Sequence, residues 1–378
     1  MTNNPFRYGA LALDDAFTDR ERELAELVAD IRNGQDVVVF GPRRYGKSSL
    51  LFRAAQQLAP RRVLVAYVDL MATPTKERFA ARLAQAIHED VATPLIRARE
   101  RALGVFRSLR VQPTITINPH DTSVSFGFAT GYDPADVDAT IEALLELPAR
   151  LAAERNRRVA LVFDEFQEIV DLDPHYPRLL RAIFQTQPEV AHVYLGSKRH
   201  LIDRIFNDEN EPFWRSAKQL ELGPIAADRF EPWIRARFEA TNRGIDDDAL
   251  ARLVEVTAGH PYVTQQLLYF LWEELPEGFS ASGADVERAL ERVVDAETAH
   301  FALVWEDATR NERILLAALG REPGRPYSVD YRRRHGLASA SHVQKSLTAL
   351  VRRGLARKDP DGVYRLAEPF LPRWLERL

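Results

Sequence analysis

The sequence contains no cysteine among its 378 residues, which excludes disulfide bonds and thiolate metal sites. No apolar run approaches the ~18 residues that a membrane-spanning helix needs. The first residues, MTNNPFRYG, lack the basic start and the apolar stretch that are typical of a signal peptide. We therefore expect a cytoplasmic protein that does not contact a membrane.

The chain also lacks a strong excess of either charge, because its formal net charge is −4. Bulk charge alone therefore does not indicate nucleic-acid binding. The distribution is more informative: from Trp305 to the C-terminus there are 15 Lys or Arg residues against 9 Asp or Glu, so the remainder carries −10. A basic C-terminal region on an acidic body indicates where a polyanion would bind.

The most informative motif lies at residues 40–51, FGPRRYGKSSLL. It contains the spacing G-x-x-x-x-G-K-[ST] of a P-loop, with a strand-like run before it and an apolar-periodic helix after it. The glycines let backbone N–H groups point at phosphate oxygens. Lys47 would reach the β- and γ-phosphates and Ser48 the Mg²⁺ ion. The motif predicts ATP or ADP and Mg²⁺ as ligands, with a chance turn as the alternative. The predicted nucleotide-binding residues of the loop are Gly41, Pro42, Arg43, Arg44, Tyr45, Gly46, Lys47, Ser48 and Ser49.

A second motif, Asp164-Glu165, follows an apolar run more than a hundred residues downstream. A P-loop enzyme needs one carboxylate in the Mg²⁺ shell and one to orient the attacking water. We assign Asp164 and Ser48 to the metal, and Glu165 and Lys47 to catalysis. Both carboxylates should project from a strand beside the P-loop strand. The alternative is a strand that simply ends in a turn.

The order of apolar patterns predicts an α/β fold with a parallel sheet covered on both faces. Four strand-like runs, at residues 36–40, 63–69, 159–163 and 191–195, alternate with predicted helices. Alternating polar and apolar residues at 111–128 predict a β-hairpin inserted into this core.

The helices predicted within this region include one at 18–32 and one at 75–103. Residues 18–32 should form a helix that begins with a Thr18–Glu21 capping box and ends at Gly34. Residues 75–103 form a long Ala- and Arg-rich stretch with a helical pattern.

The strand signals stop after Pro224, which divides the chain into three predicted domains. Residues 1–225 would form the P-loop ATPase domain, and residues 226–300 a small helical domain. Residues 301–378 show the order helix, helix, helix, hairpin, helix, which is typical of a winged helix.

The combination of these motifs resembles P-loop ATPases of the AAA+/STAND clade, in particular the archaeal-type ATPase family. The likeness covers essentially the whole chain and implies a nucleotide-binding α/β domain, a helical lid and a C-terminal winged helix. It rests on FTDREREL at 17–24, the P-loop, LVFDE at 161–165, LGS at 195–197, GHP at 259–261, and the tail from YSVD at 327–330 to PFL at 369–371.

The resemblance also implies roles for residues outside the P-loop. The segment with Phe17 and Arg20 resembles the lead-in that closes over adenine. Ser197 resembles a sensor residue that touches the γ-phosphate or water, although a strand-end hydroxyl can equally cap a turn. His260 and Pro261 resemble the element by which STAND lids meet the nucleotide, and Pro261 also suits the first position of a helix.

Phosphoryl transfer gains from a cation on the transferring group. We assign Arg215 to this role, with Arg199 as a second candidate and a surface or structural role as the alternative for both. Arg43 should point away from phosphate, because Lys47 already fills that place.

The C-terminal winged helix could insert its third helix into a DNA major groove. The residues that would then face the bases are Ser341, His342, Gln344 and Lys345. Winged helices also serve as protein contacts or lids, and basic helix faces are often merely solvated, so both duplex DNA and a protein partner remain open.

These features predict a Mg²⁺-dependent ATPase that acts as a nucleotide-controlled switch, binding DNA or regulating a partner. Two alternatives remain: a ring-forming AAA+ motor or loader, and a non-catalytic, ATP-dependent scaffold. The sequence leaves oligomer formation open.

Overall fold

A computed structural model describes residues 3–13, 16–92, 104–118, 124–129, 131–359 and 361–378. The chain divides into two compact units: Leu11–Gly223, called here the ATPase unit, and Met1–Ala10 with Pro224–Leu378, called the C-terminal unit. The division into three domains, at 1–225, 226–300 and 301–378, stays a prediction. None of the helices within the described ranges has the length and hydropathy to cross a membrane.

The ATPase unit alternates strands and helices in chain order. Its strands are β1 (Val37–Phe40), β2 (Val63–Asp69), β3 (Thr114–Ile117), β4 (Val124–Gly127), β5 (Arg158–Asp164), β6 (Val190–Gly196) and β7 (Lys218–Glu221). Its helices are α1 (Glu21–Asn33), α2 (Lys47–Leu58), α3 (Lys76–Ala86), α4 (Pro134–Arg155), α5 (Ile169–Leu172), α6 (Tyr176–Phe184) and α7 (Arg199–Asn207).

Five of these strands form one parallel sheet in the order β2-β5-β6-β1-β7. The α/β fold with a parallel P-loop sheet is therefore confirmed. One expectation is wrong: the strand that carries Asp164 does not lie beside the P-loop strand, because β6 pairs with both and separates them. A fifth strand, β7, was not predicted and pairs with β1 on its other side.

Both faces of the sheet are covered, as the continuous apolar runs predict. Val38 and Phe40 of β1 belong to one buried cluster, together with residues of α3, α4 and α6. Val37 and Val39 belong to a second cluster with residues of α1 and α2. Alternate side chains of one strand thus enter two cores, which fixes the sheet between two helical layers.

The inserted hairpin is present, since β3 and β4 pair antiparallel from Thr114↔Gly127 to Ile117↔Val124. Its predicted turn, Asn118 to Asp121, lies largely outside the described residues. The long helix predicted at 75–103 begins with Thr75 as the cap of α3 and continues as a π-helix, Ile87–Ala92. Its remainder, 93–103, also lies outside them.

The first helix begins later than the sequence suggests. The predicted Thr18–Glu21 capping box is wrong, because α1 begins at Glu21 and Arg20 occupies its cap position in the left-handed region, at φ 71°. The predicted C-terminal cap is confirmed, since Gly34 has φ 77° and donates its N–H to the last turn.

The C-terminal unit is mostly helical. Its helices are α8 (Ala227–Glu239), α9 (Asp247–Thr257), α10 (Pro261–Glu274), α11 (Gly283–Glu306), α12 (Arg310–Arg321), α13 (Val329–Arg334), α14 (Ala340–Arg352) and α15 (Leu371–Leu375). Its strands are β8 (Gly244–Ile245), β9 (Ser280–Ala281), β10 (Ala356–Lys358) and β11 (Tyr364–Leu366). The order from α12 to α15, with β10 and β11 as an antiparallel wing, confirms the predicted winged-helix pattern.

One buried cluster runs through this whole unit and includes residues of α8 to α12 and of the winged helix. Phe301 of α11 packs against Trp374 of α15, with ring centroids 6.1 Å apart.

The N-terminal segment also belongs to this cluster. Phe6 is fully buried between Trp233 and Phe238, and the Asn4 side chain donates to the carbonyl of Tyr269.

Candidate nucleotide site

The P-loop connects β1 to α2 and takes its shape from two glycines. A side chain at Gly41 would collide with the carbonyl oxygen of Leu222, which follows β7. Gly46 has φ 85° and caps α2, a conformation that glycine adopts without steric cost. The loop therefore presents its backbone to whatever lies at the N-terminus of α2, which is the arrangement that binds phosphate.

Lys47 lies inside this loop and is only 6% exposed. Its Nζ donates to the carbonyl oxygens of Gly41 and Pro42, each at 2.9 Å. Burial lowers the pKa of Lys47, and Arg43 acts in the same direction, while Glu165 and Asp164 oppose the shift. The ammonium group is thus held ready in a partly desolvated position, where an anion gains most from it.

The carboxylate of Asp164 lies next to the loop despite the intervening strand. Ser48 Oγ donates to its Oδ2 at 3.0 Å, and the hydroxyl of Tyr67 donates to the same oxygen at 2.5 Å. Hydroxyl and carboxylate oxygens are the donors that Mg²⁺ accepts, and it usually takes few protein ligands alongside phosphates and water. This donor set fits Mg²⁺, whereas the described residues contain no cluster of three or more His, Cys, Asp or Glu side chains that could hold a metal alone.

Tyr67 was not predicted from the sequence. It lies on β2, two residues before Asp69, and Asp69 pairs in register with Asp164. Burial raises the pKa of Tyr67, and its hydrogen bond to Asp164 raises it further. Burial also raises the pKa of Asp69, as do the charges of Asp164 and Glu165. The alternation along β2 could have indicated that Tyr67 and Asp69 share a face, but not which carboxylate they meet.

Glu165 stands at the turn after β5 with φ 52°. Ser197 Oγ donates to Glu165 Oε2 at 2.6 Å, and the side-chain amide of Gln167 donates to the same oxygen. The predicted sensor residue, Ser197, is therefore hydrogen-bonded to Glu165, the predicted general base. Gln167 was missed, because it belongs to none of the motifs that the sequence displays.

The other predicted residues near the loop have structural contacts. The backbone N–H of Ala12 donates to Ser49 Oγ at 3.0 Å, Tyr45 is buried, and Arg53 lies over the ring of Phe17. Arg20 is buried, donates to the carbonyl of Gly223 and pairs with Glu23. Arg20 therefore ties the start of α1 to the end of the ATPase unit.

The arginine candidates lie in different surroundings. Arg199 begins α7, pairs with Glu221 and lies over the ring of Phe40, just before the P-loop. The Arg215 guanidinium lies over Trp214 and forms no ion pair with any residue that the structure describes. Arg43 and Arg44 are both exposed.

His260 and Pro261 belong to the C-terminal unit. His260 caps α10, and its side chain accepts from the backbone N–H of Val263. Pro261 occupies the first turn of the same helix, as its fixed φ favours.

Comparison with known proteins identifies the family. Residues 17–209 match the family model of an ATPase domain found predominantly in Archaea, which is more than half of the chain. The chain belongs to this ATPase family. Residues 299–377 of this archaeal-type ATPase also match a winged helix domain. No curated protein sequence matches the chain.

Two solved structures show how widely the fold of this archaeal-type ATPase is shared. A Walker-type ATPase of Pyrococcus abyssi is 18% identical, with a TM-score of 0.64 and coverage of 97% of both chains. The Orc1 protein of Aeropyrum pernix, solved in complex with DNA, is 16% identical, with a TM-score of 0.51 and coverage of 96% of this chain and 94% of that one. At such identities the likeness concerns the fold alone. The family and the site together identify a P-loop NTPase that hydrolyses ATP.

Proposed function

We propose that this ATPase binds ATP together with Mg²⁺ and works as a nucleotide-controlled switch that contacts duplex DNA through its winged helix. The observation that carries the first part is the hydrogen bond between Ser48 Oγ and Asp164 Oδ2 at 3.0 Å. It joins the P-loop to the acidic motif across 116 residues of sequence. The proposal keeps the three predicted domains, with the ATPase domain at 1–225, the lid at 226–300 and the winged helix at 301–378.

Each residue of the site has one proposed task. Lys47 and the N–H groups of residues 41–49 bind the phosphates, and Ser48 and Asp164 hold Mg²⁺. When bound, the ion neutralises charge on the phosphates. Glu165 accepts the proton of the attacking water, and Ser197 keeps the carboxylate in place. Arg215 is the proposed cation that contacts the transferred phosphoryl group. Phe17 and Arg20 lie on the proposed adenine side, and His260 and Pro261 belong to the lid.

The proposed DNA surface is the exposed face of α14. Ser341, His342, Gln344 and Lys345 are all exposed, while Val343 and Leu347 of the same helix are buried. The helix is therefore anchored on one side and presents polar side chains on the other, as a major-groove helix must.

Positive charge continues along this face. Lys345 and Arg352 are exposed and form no ion pair with any described residue, whereas Arg353 lies 3.8 Å from Glu312. Free cations contribute most to phosphate binding, because each one displaces condensed counterions from DNA. Lys345 and Arg352 are thus the charges to remove first.

The test is duplex-DNA binding by fluorescence anisotropy with ADP, with ATP and without nucleotide, each over a salt series. The Lys345→Ala/Arg352→Ala double variant should weaken binding and reduce the salt slope by roughly 2, at about 0.9 per phosphate contact. The matched control is Arg310→Ala/Arg321→Ala, which removes two exposed arginines of α12 and should change the slope less.

Absence of binding in all three nucleotide states at low salt would refute the DNA part and leave a switch that acts on a protein partner. An ATP-turnover assay, combined with native mass measurement in ADP and in ATP, tests whether the protein is a switch, a motor or a scaffold. Rapid turnover in a ring would indicate a motor instead, and binding without turnover a scaffold.

A further inference from the structure

Two hydrogen-bond donors contact the same carboxylate oxygen of Glu165. Ser197 Oγ donates to Oε2 at 2.6 Å, and Nε2 of Gln167 donates to the same atom. Among the described residues, Oε1 of Glu165 has no hydrogen-bond donor. A general base needs one oxygen that can take the proton from water. Because both donors bind Oε2, they fix the orientation of the carboxylate and leave Oε1 available for this proton.

The two donors follow the ends of two neighbouring strands, β5 and β6. Gln167 lies on a single 3-10 turn, Phe166–Glu168, directly after β5, and is 2% exposed. Ser197 directly follows β6, which pairs with β5 from Val159↔Val190 to Phe163↔Tyr194. Lys198, the next residue, pairs with Glu168 at 2.8 Å. The Ser197–Glu165 hydrogen bond and the Lys198–Glu168 ion pair thus join the turn after β5 to the end of β6.

Gln167 makes this contact at an energetic cost. Its Oε1 is buried and has no hydrogen-bond partner among the residues that the structure describes, and an unsatisfied buried carbonyl oxygen disfavours the folded state. Gly196 leaves room for the side chain of Ile202 and for this oxygen, because a Cβ at that position would lie 2.3 Å from two carbons of Ile202 and 3.2 Å from Oε1. Buried unsatisfied polar groups are rare in proteins and call for an explanation in terms of function or strain.

We infer that Gln167 is a positioning residue for ATP hydrolysis, which acts by holding the carboxylate of Glu165. The inference rests on the proposed role of Glu165 as the base. An apolar side chain would fill this buried place without an unpaired oxygen, but it could not donate to Glu165. An amide of this size offers N–H donors without adding a charge beside Glu165.

The experiment measures single-turnover ATP hydrolysis, KM and ADP affinity for the full chain and for Gln167→Met, which has a similar volume and no donor. A hydrogen bond to a charged group predicts a kcat that is lower by about 10- to 100-fold. KM and ADP affinity should stay within twofold. The control Lys218→Met removes the ion pairs that this surface lysine of β7 forms with Glu26 and Asp30, and should leave kcat within twofold.

The same substitution is then made in the Glu165→Gln background. A residue that acts through Glu165 should have little further effect there, whereas a residue needed only for folding should slow both backgrounds equally. An unchanged kcat of Gln167→Met, or an equal loss in both backgrounds, would overturn the inference. If Gln167→Met does not fold, Gln167→Asn keeps the amide but is too short to reach Oε2, and the same readouts apply.

The two proposals fail in different ways. If Glu165→Gln hydrolyses ATP at the parent rate, the base assignment itself is wrong. If Glu165→Gln is inactive and Gln167→Met is fully active, only the inference about Gln167 is wrong.

Discussion

Replacing Lys47 tests the nucleotide site most directly. Its ammonium group is buried and contacts two loop carbonyls at 2.9 Å, so the cost of desolvating it is already met before a nucleotide binds. At an effective dielectric constant of about 20, two unit charges ~4 Å apart attract by about 4 kcal/mol. Lys47 must give up its hydrogen bonds to the two carbonyl oxygens when it binds phosphate. Each hydrogen bond to a charged group contributes about 1.5–3 kcal/mol, so this loss offsets part of the attraction.

We therefore expect Lys47→Met to weaken ATP binding by about 2–3 kcal/mol, or roughly 30- to 150-fold in Kd. Isothermal titration calorimetry with Mg²⁺ should show this loss for ATP and a smaller one for ADP, which lacks the γ-phosphate. An unchanged thermal unfolding transition would show that the variant is folded. Lys218→Met is the matched control, because Lys218 is a surface lysine of β7 that pairs with Glu26 and Asp30. An ATP affinity of Lys47→Met within threefold of the parent protein would refute the P-loop role of this lysine.

The remaining predictions concern the two acidic residues of the site and one partly buried carboxyl group. Glu165→Gln should retain ATP and Mg²⁺ binding but hydrolyse ATP far more slowly, because the amide cannot accept the proton; a parent rate in a phosphate-release assay would contradict this. Asp164→Ala should lose the Mg²⁺-dependent part of ATP affinity, and equal affinities with Mg²⁺ and with EDTA are the expected result. Burial raises the pKa of Asp90 to about 6, and the charge of Glu89 adds to this, while a hydrogen bond from the backbone N–H of Tyr67 opposes it. The folded state thus holds this proton more tightly than the unfolded chain, so stability falls as pH rises from about 4 to about 6. Asp90→Asn should raise the melting temperature at pH 8 and leave it unchanged at pH 4; a rise of equal size at both values would show that ionisation is not the cause.

The features predicted correctly from the sequence are local ones. The P-loop, its strand and its helix follow from the spacing of Gly41, Gly46 and Lys47 within one continuous segment. The winged-helix order follows from helix signals and a short hairpin near the C-terminus. In each case the residues that decide the structure are neighbours in the chain.

The features that were missed depend on contacts between distant segments. Strand β7 reads KQLE and buries only Leu220, so it has no apolar run to reveal it. The position of β6 between β1 and β5 depends on pairing across the whole sheet. Arg20, at the start of α1, contacts the carbonyl of Gly223, which lies 203 residues later. The role of Gln167 depends on the ends of β5 and β6, which bring Gln167 and Ser197 into contact with Glu165.

The burial of Phe6 in the C-terminal unit has a consequence for synthesis of the protein. Asn4 bonds to the carbonyl of Tyr269, which lies 265 residues later. On the ribosome, residues 3–10 emerge before the ATPase unit, but the residues that bury Phe6 are translated only after it. Until then the Phe6 side chain stays solvent-exposed or bound to a chaperone. A fragment that begins at Pro224 would correspondingly expose an apolar slot between Trp233 and Phe238, so this fragment should become soluble when residues 3–10 are joined to it by a linker.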